Sequence, residues 1–169
     1  GDNSAGVREE GRWGWTDSCS KDQMVGQILG MVSLYEAMHG DDGFEQALVE
    51  RIRGDARMVA KMLMEKRDIS TLETPMGKGE FDLIIMDADG RATFHHDLNP
   101  RSIEKFYAPA GATVFNLFNG IMAMAVMKGL FHVTGDEDIE AFLYEELLGE
   151  RRFLEWLPAD ADPKPLDYI

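Results

Sequence analysis

Apolar residues fall into two helical stretches separated by one that alternates, and this pattern sets the first expectation for the fold. Ser20-Lys21-Asp22-Gln23 has the Ser-x-x-Gln spacing of a capping box and predicts a helix start. Beyond it, Met24, Val25, Ile28, Leu29, Met31, Val32, Leu34, Tyr35 and Met38 spread around most of the circumference. That distribution predicts a helix buried on nearly all sides. His39-Gly40-Asp41-Asp42-Gly43 stops it, with Gly40 suited to the left-handed position after a helix and Asp41 or Asp42 suited to cap the next. From Phe44 to about Arg67 the apolar positions Phe44, Leu48, Ile52, Val59 and Leu63 recur at helical spacing between charged residues, as in an amphipathic outer helix. Together these form a first αα-hairpin, about residues 20–67.

The helical rhythm fails between residues 68 and 98. Phe81 to Met86, the turn Asp87-Ala88-Asp89-Gly90 and the return Arg91 to Phe94 predict a β-hairpin, about residues 81–96. Asn99-Pro100 reads as a cap with proline at the first helical position, giving a short helix over Arg101 to Tyr107. A second αα-hairpin follows, about residues 114–148. It has an apolar helix from Val114 to Val133, a turn at Thr134-Gly135-Asp136-Glu137 with capping-box spacing, and a helix from Asp138 to about Leu148. Glu150 to Leu157 predicts one more short helix. Residues 1–19 read as an arm, 20–157 as the helical domain and 158–169 as an irregular, proline-bearing tail. The fold class is mainly α.

Setting Gly40 against Gly135, 95 residues apart, aligns Gly-Asp-Asp-Gly-Phe-Glu-Gln-Ala-Leu with Gly-Asp-Glu-Asp-Ile-Glu-Ala-Phe-Leu. Each side runs from an apolar helix through a Gly-Asp turn to a more amphipathic one. Such a duplication suits a double-layered helical array with inner and outer helices.

Composition narrows the partners. The 169 residues are 44% hydrophobic, enough for a core, and carry a net charge of −14. A surface that acidic repels nucleic-acid phosphates and anionic lipid headgroups, so no nucleic-acid partner is expected. The run from Val114 to Val133 has the length of a membrane span, but it contains Asn116, Asn119, Lys128 and His132 and reads as a buried helix instead. A single cysteine, Cys19, leaves the compartment open. The opening Gly1-Asp2-Asn3-Ser4 has no leader pattern, and a removed signal peptide would place the protein in the periplasm or outside the cell.

Three stretches resemble bacterial six-hairpin-glycosidase-like proteins of the α/α-toroid type. They are WGWTDSCSKDQMVGQILGMVSLYEAM from Trp13, IIMDADGRATFHHDLNP from Ile84, and FNGIMAMAVMKGLFHVTGDEDIEAFLYEELL from Phe118. In such proteins a Trp-rich loop leads into an inner helix, an Asp-x-Asp-Gly hairpin follows, and a later inner helix ends in Thr-Gly-Asp. The resemblance implies two αα-hairpins of α/α-toroid type and a carbohydrate-active function, hydrolase before lyase. A closed ring of six hairpins needs about twelve helices. The resemblance therefore implies a fragment, a ring completed by another chain, or a reduced relative. The contrasting expectation is a non-catalytic helical assembly module whose inner faces are covered by a second chain or an oligomeric partner.

Candidate chemistry centres on Trp13, Trp15, Asp17 and Asp22. Aromatic faces stack on sugar rings, and paired carboxylates can divide acid and base work across a glycosidic bond. In the plainer reading the tryptophans pack the arm onto the core and Asp22 only favours the helix N-terminus. His95 and His96 are further candidates for substrate contact, but adjacent strand residues point to opposite faces, so a joint metal site is not expected. No cofactor is expected either. A strand ending in Asp87-Ala88-Asp89-Gly90 also resembles the first motif of haloacid-dehalogenase-like phosphatases, but that chemistry needs a βαβ series the chain lacks. A hairpin turn, which suits Asp and Gly, is the simpler reading. Gly26 and Gly30, one turn apart, are expected to let a neighbouring helix come close.

Overall fold

The computed structural model describes residues 8–10, 13–15, 20–40, 46–68, 80–86, 92–101 and 116–156. Those residues are mainly helical. Helix α1 spans Lys21–Met38 and starts at the expected capping box, with the Gln23 side chain accepting from the Ser20 N–H at 2.8 Å. Helix α2 spans Gln46–Met64 and α3 spans Leu117–Thr134. Helix α4, Glu137–Ala141, continues without a break into a π-helical stretch, Phe142–Glu150, and a short 3₁₀ turn follows at Phe153–Trp156.

α1 and α3 lie side by side and parallel. Lys21 Nζ donates to Asn119 Oδ1 at 2.8 Å at their N-terminal ends, while Glu36 meets the His132 ring near their C-terminal ends. These pairs are separated by 98 and 96 residues, close to the 95-residue offset of the aligned turns. The turn glycines also match: Gly40 has φ +79° and Gly135 φ +68°, the left-handed conformation an L side chain resists. The first helices of the two hairpins thus stand side by side in similar register, while their second helices differ, one a 19-residue α-helix and the other mostly π-helical.

α2 returns antiparallel to α1, with Arg53 donating to the Tyr35 hydroxyl at 3.0 Å. Its buried positions are Val49, Ala56, Ala60 and Leu63, and Ile52 and Val59 pack partly against the core. Leu48, expected in that stripe, is exposed. The buried alanines of α2 let it approach α3, whose Ala123 is also fully buried. Arg57 joins α2 to the second hairpin, its Nε donating to both carboxylate oxygens of Asp136 at 2.9 and 3.1 Å. α3 is long and apolar enough to cross a membrane, and half of it is buried inside this fold.

Several expectations are corrected. α1 buries only Met24, Ile28, Tyr35 and Met38, and Leu29 and Leu34 are exposed. Its described neighbours, α2, α3 and the strand Ala92–Asp97, leave those two side chains open to solvent. Gly26 and Gly30 have open space where a Cβ would stand; the close approach is made instead by Gly129 of α3, where a Cβ would lie 2.7 Å from Ile28 Cγ2 and 3.3 Å from Val32 Cγ2. Thr134 does not cap the next helix. It is the last residue of α3, and its hydroxyl donates to the Leu130 carbonyl at 2.8 Å, leaving Asp136 as the cap residue of α4.

The arm contains strands β1, Arg8–Glu10, and β2, Trp13–Trp15, paired antiparallel with Arg8 opposite Trp15. Strand β3, Arg67–Asp68, pairs antiparallel with β4, Glu80–Phe81, and β5, Ile84–Met86, pairs antiparallel with β6, Ala92–Asp97. The expected strand from Phe81 to Met86 is therefore two strands. Leu83 breaks it with φ +58°, held by its N–H donating to the Leu63 carbonyl at 2.6 Å and its carbonyl accepting from the Leu98 N–H at 2.9 Å. The expected turn at 87–90 and the helix over Arg101 to Tyr107 lie outside the described residues, apart from Arg101 itself.

The packing of α1 on α3 can be tested through its glycines. Gly129→Ala should lower stability by about 1–2 kcal/mol, because the stiff, buried Ile28 cannot yield. Gly30→Ala should raise it, by at most about 1 kcal/mol, since only helix propensity changes. Urea denaturation of the two variants measures both signs.

Candidate functional site

The residues singled out in the sequence are placed unevenly. Asp22 sits exposed in the first turn of α1, where its carboxylate accepts from the Ser20 hydroxyl. Trp13 and Trp15 lie in β2, and His95 and His96 in β6; these placements concern the backbone alone. Asp17 lies outside the described residues. Of this set, Asp22 alone has its side chain among the described residues.

The described residues assemble a polar cluster at the end where α3 begins. Asp82, between β4 and β5, is 2% exposed, and its carboxylate takes Arg151 in a two-pronged pair, Nη1 to Oδ1 at 2.8 Å and Nη2 to Oδ2. Asn99 Nδ2 donates to the same Oδ1 at 2.9 Å. Arg151 Nη2 also meets Glu146. Glu146 and Arg151 are five residues apart, and the Arg151 N–H donates to the Glu146 carbonyl at 2.8 Å, the i→i+5 bond of a π turn. The π-helical geometry therefore places the second carboxylate beside the guanidinium.

The cluster continues toward α1. Asn119 Nδ2 donates to the Asn99 carbonyl at 3.4 Å, and Asn119 in turn accepts from Lys21. A polar chain thus runs from the start of α1, through the start of α3, to the end of the π-helical stretch. Burial alone would lower the pKa of Arg151, but its hydrogen bonds to Asp82 and Glu146, and their charges, outweigh that and hold it above the ordinary arginine value.

Among the described residues, two adopt the left-handed conformation without being glycine, Leu83 with φ +58° and Arg152 with φ +57°. Each directly follows a member of the Asp82–Arg151 pair. Conformations of this kind persist where the surroundings over-determine them, and they concentrate at working sites. Above the pair is an open cleft of about 420 Å³, lined by Lys66, Glu80, Phe81, Asn99, Arg101, Glu150 and Phe153 as well as the ion-pair residues.

Sequence reading missed this site. Glu146 and Arg151 were assigned to the second hairpin and the short helix beyond it, and Asp82 to a continuous strand. The one available signal was a lone Asp between Phe81 and Leu83 in an otherwise apolar run, Phe81 to Met86. Comparison of the chain with protein-family models, curated protein sequences and solved structures returns no match.

Removing one partner of a buried ion pair leaves the other charge without compensation. Asp82→Ala should therefore cost about 3–5 kcal/mol in chemical denaturation. Glu155→Ala, which removes only the exposed pair with Arg152, should cost less than about 1 kcal/mol.

Proposed function

We propose that the chain is part of a carbohydrate-active protein of the α/α-toroid type, with its sugar-facing surface at the end where α1 and α3 begin. The observation that supports this is the parallel pairing of α1 and α3 at nearly the offset of the aligned turns, joined in the chain by the antiparallel α2. That is the relation between successive inner helices of a toroid, and it accords with the sequence resemblance. Loops entering the inner helices open into the central funnel of such an array. Asp22 begins the first of these helices, and Trp13, Trp15 and Asp17 immediately precede it.

In this reading Asp17 and Asp22 are the acid and base candidates, and Trp13 and Trp15 are platforms for sugar rings. Hydrolysis is proposed ahead of elimination. Elimination from a uronate wants a cation to neutralise the sugar carboxylate, and this stretch is poor in cations. The test is glycan turnover over a panel of oligosaccharides, scored by released reducing ends. Asp17→Asn and Asp22→Asn should each lower it by at least about 100-fold, the scale of general acid–base contributions. Unchanged turnover in both would reject these carboxylates.

A second reading, a helical assembly module, is favoured by the outward face of the α1–α3 pair. Leu29 is 65%, Phe118 62% and Ile121 44% exposed, and an apolar groove between the helices is lined by Val25, Leu29, Val32, Ala125 and Gly129. Contiguous apolar surface of this kind marks interaction sites. If a second copy covers the face, sedimentation should show a dimer that Leu29→Glu dissociates. A monomer at high concentration removes the self-assembling form of this reading.

A further inference from the structure

We infer that the uncovered face of the α1–α3 pair docks a second copy of this chain about a two-fold axis running along the helices, so that each α1 lies on the partner's α3. The inference rests on the assembly reading and adds to it the orientation and register of the occupant.

The face is a double strip. On α1, Val25, Leu29, Val32 and Glu36 recur at steps of four, three and four, and on α3 Ile121, Ala125, Lys128 and His132 recur in the same way. That spacing keeps each set on one side of its helix, and because α1 and α3 are parallel the strips run side by side. Leu29 and Ile121 are 65% and 44% exposed, and no described segment covers them. Between the strips the groove is lined by valine, isoleucine, leucine, alanine and glycine alone. No side chain there can donate or accept a hydrogen bond. An occupant must therefore satisfy its own backbone, as a helix does; an extended peptide or a polar small molecule would lose its hydrogen bonds to water without replacement.

Charge selects which helices. The chain carries −14, yet the charged residues of α1 and α3 are Lys21, Asp22, Glu36 and Lys128, which balance. Much of the acid lies in the stretch after α3, where Glu137 to Glu150 holds six carboxylates and no cation. A second copy presenting the same helical pair meets no net charge on the face itself. Within the pair the signs are sorted: the exposed ionisable residues of α1 are Asp22 and Glu36, and those of α3 are Lys128 and His132. A two-fold axis along the helices sets each α1 against the partner's α3, acidic strip on basic strip. A two-fold axis across them sets α1 on α1 and brings Asp22 beside the partner's Glu36, at a like-charge cost. Opposed helix dipoles would favour that crossed arrangement only through the end turns, which is where those carboxylates stand.

Symmetry also fixes the register. Rotation about an axis parallel to the helices moves no residue along them, and within the chain Glu36 already stands level with His132, 96 residues on. Leu29 therefore lies over the partner's Ala125, a large side chain on a small one, and Val25 lies over the partner's Ile121. Glu36 falls at the level of the partner's His132.

The test is cysteine cross-linking and sedimentation of the whole chain, with Cys19→Ser as the background. Leu29→Cys and Ala125→Cys, both at exposed positions, are placed in separate copies. Mixed under oxidising conditions they should form a disulfide-linked heterodimer, while each alone stays largely unlinked. Glu36→Lys should weaken the dimer about tenfold, because the interface contains the site twice, and adding His132→Glu should restore it. Linking of Leu29→Cys to itself and of Ala125→Cys to itself marks the crossed axis, which overturns the inference and leaves self-assembly standing. A dimer that survives Leu29→Glu lies on another surface and overturns it as well. A folded monomer at high concentration overturns the inference together with the self-assembling reading.

Discussion

The described fold depends on how closely α3 can be approached. This helix is the middle of the structure, with α1 on one side, α2 on another and the π-helical stretch packed against it. Gly129 lets Ile28 of α1 come within a distance that any Cβ would forbid. Ala56, Ala60 and Ala123, all fully buried, allow the same economy between α2 and α3. Close helix packing maximises dispersion contacts, and here small residues on the central helices make it possible. Once α1 and α3 are parallel and adjacent, their N-terminal ends are brought together, and the polar chain through Lys21, Asn119 and Asn99 has a place to form.

That chain explains why the β segment and the C-terminal helix belong to the same body. Asp82 reaches the interior only because the strand breaks at Leu83, and Arg151 reaches Asp82 only because the last helix widens to π geometry. Two departures from regular backbone therefore serve one buried ion pair. Such a pair contributes modest net stability compared with an apolar replacement, because desolvation offsets much of the attraction. What it fixes is arrangement: a floor of oriented charges beneath an open cleft, at the same end as the starts of α1 and α3.

The two functional readings draw on different surfaces of the same helical pair. The carbohydrate reading uses the end where α1 and α3 begin. The assembly reading uses the lateral groove where Leu29, Phe118 and Ile121 meet solvent. The two are compatible, since a helical array can bury its lateral faces against further helices while keeping the loops at one end open to ligand.

The sequence by itself determined the mainly helical class and the order of the long helices. Ser20 and Gln23 marked a start, Gly40 and Gly135 marked two left-handed turns, and the apolar run ending at Thr134 marked the central helix; each signal is local, carried by residues within one or two turns. The β-hairpin was legible as a paired segment but not as two separate ladders, because the conformation of Leu83 is imposed by distant partners, the Leu63 carbonyl and the Leu98 amide. Burial of α1 was overestimated because hydropathy reports which surfaces favour cover and is silent about whether a neighbour is there. The cleft was invisible for a related reason: Asp82 and Arg151 are 69 residues apart, and the geometry that joins them comes from a strand break and a π turn. Only the tertiary structure decided that pairing, because the energy of a buried charge depends on what surrounds it in space.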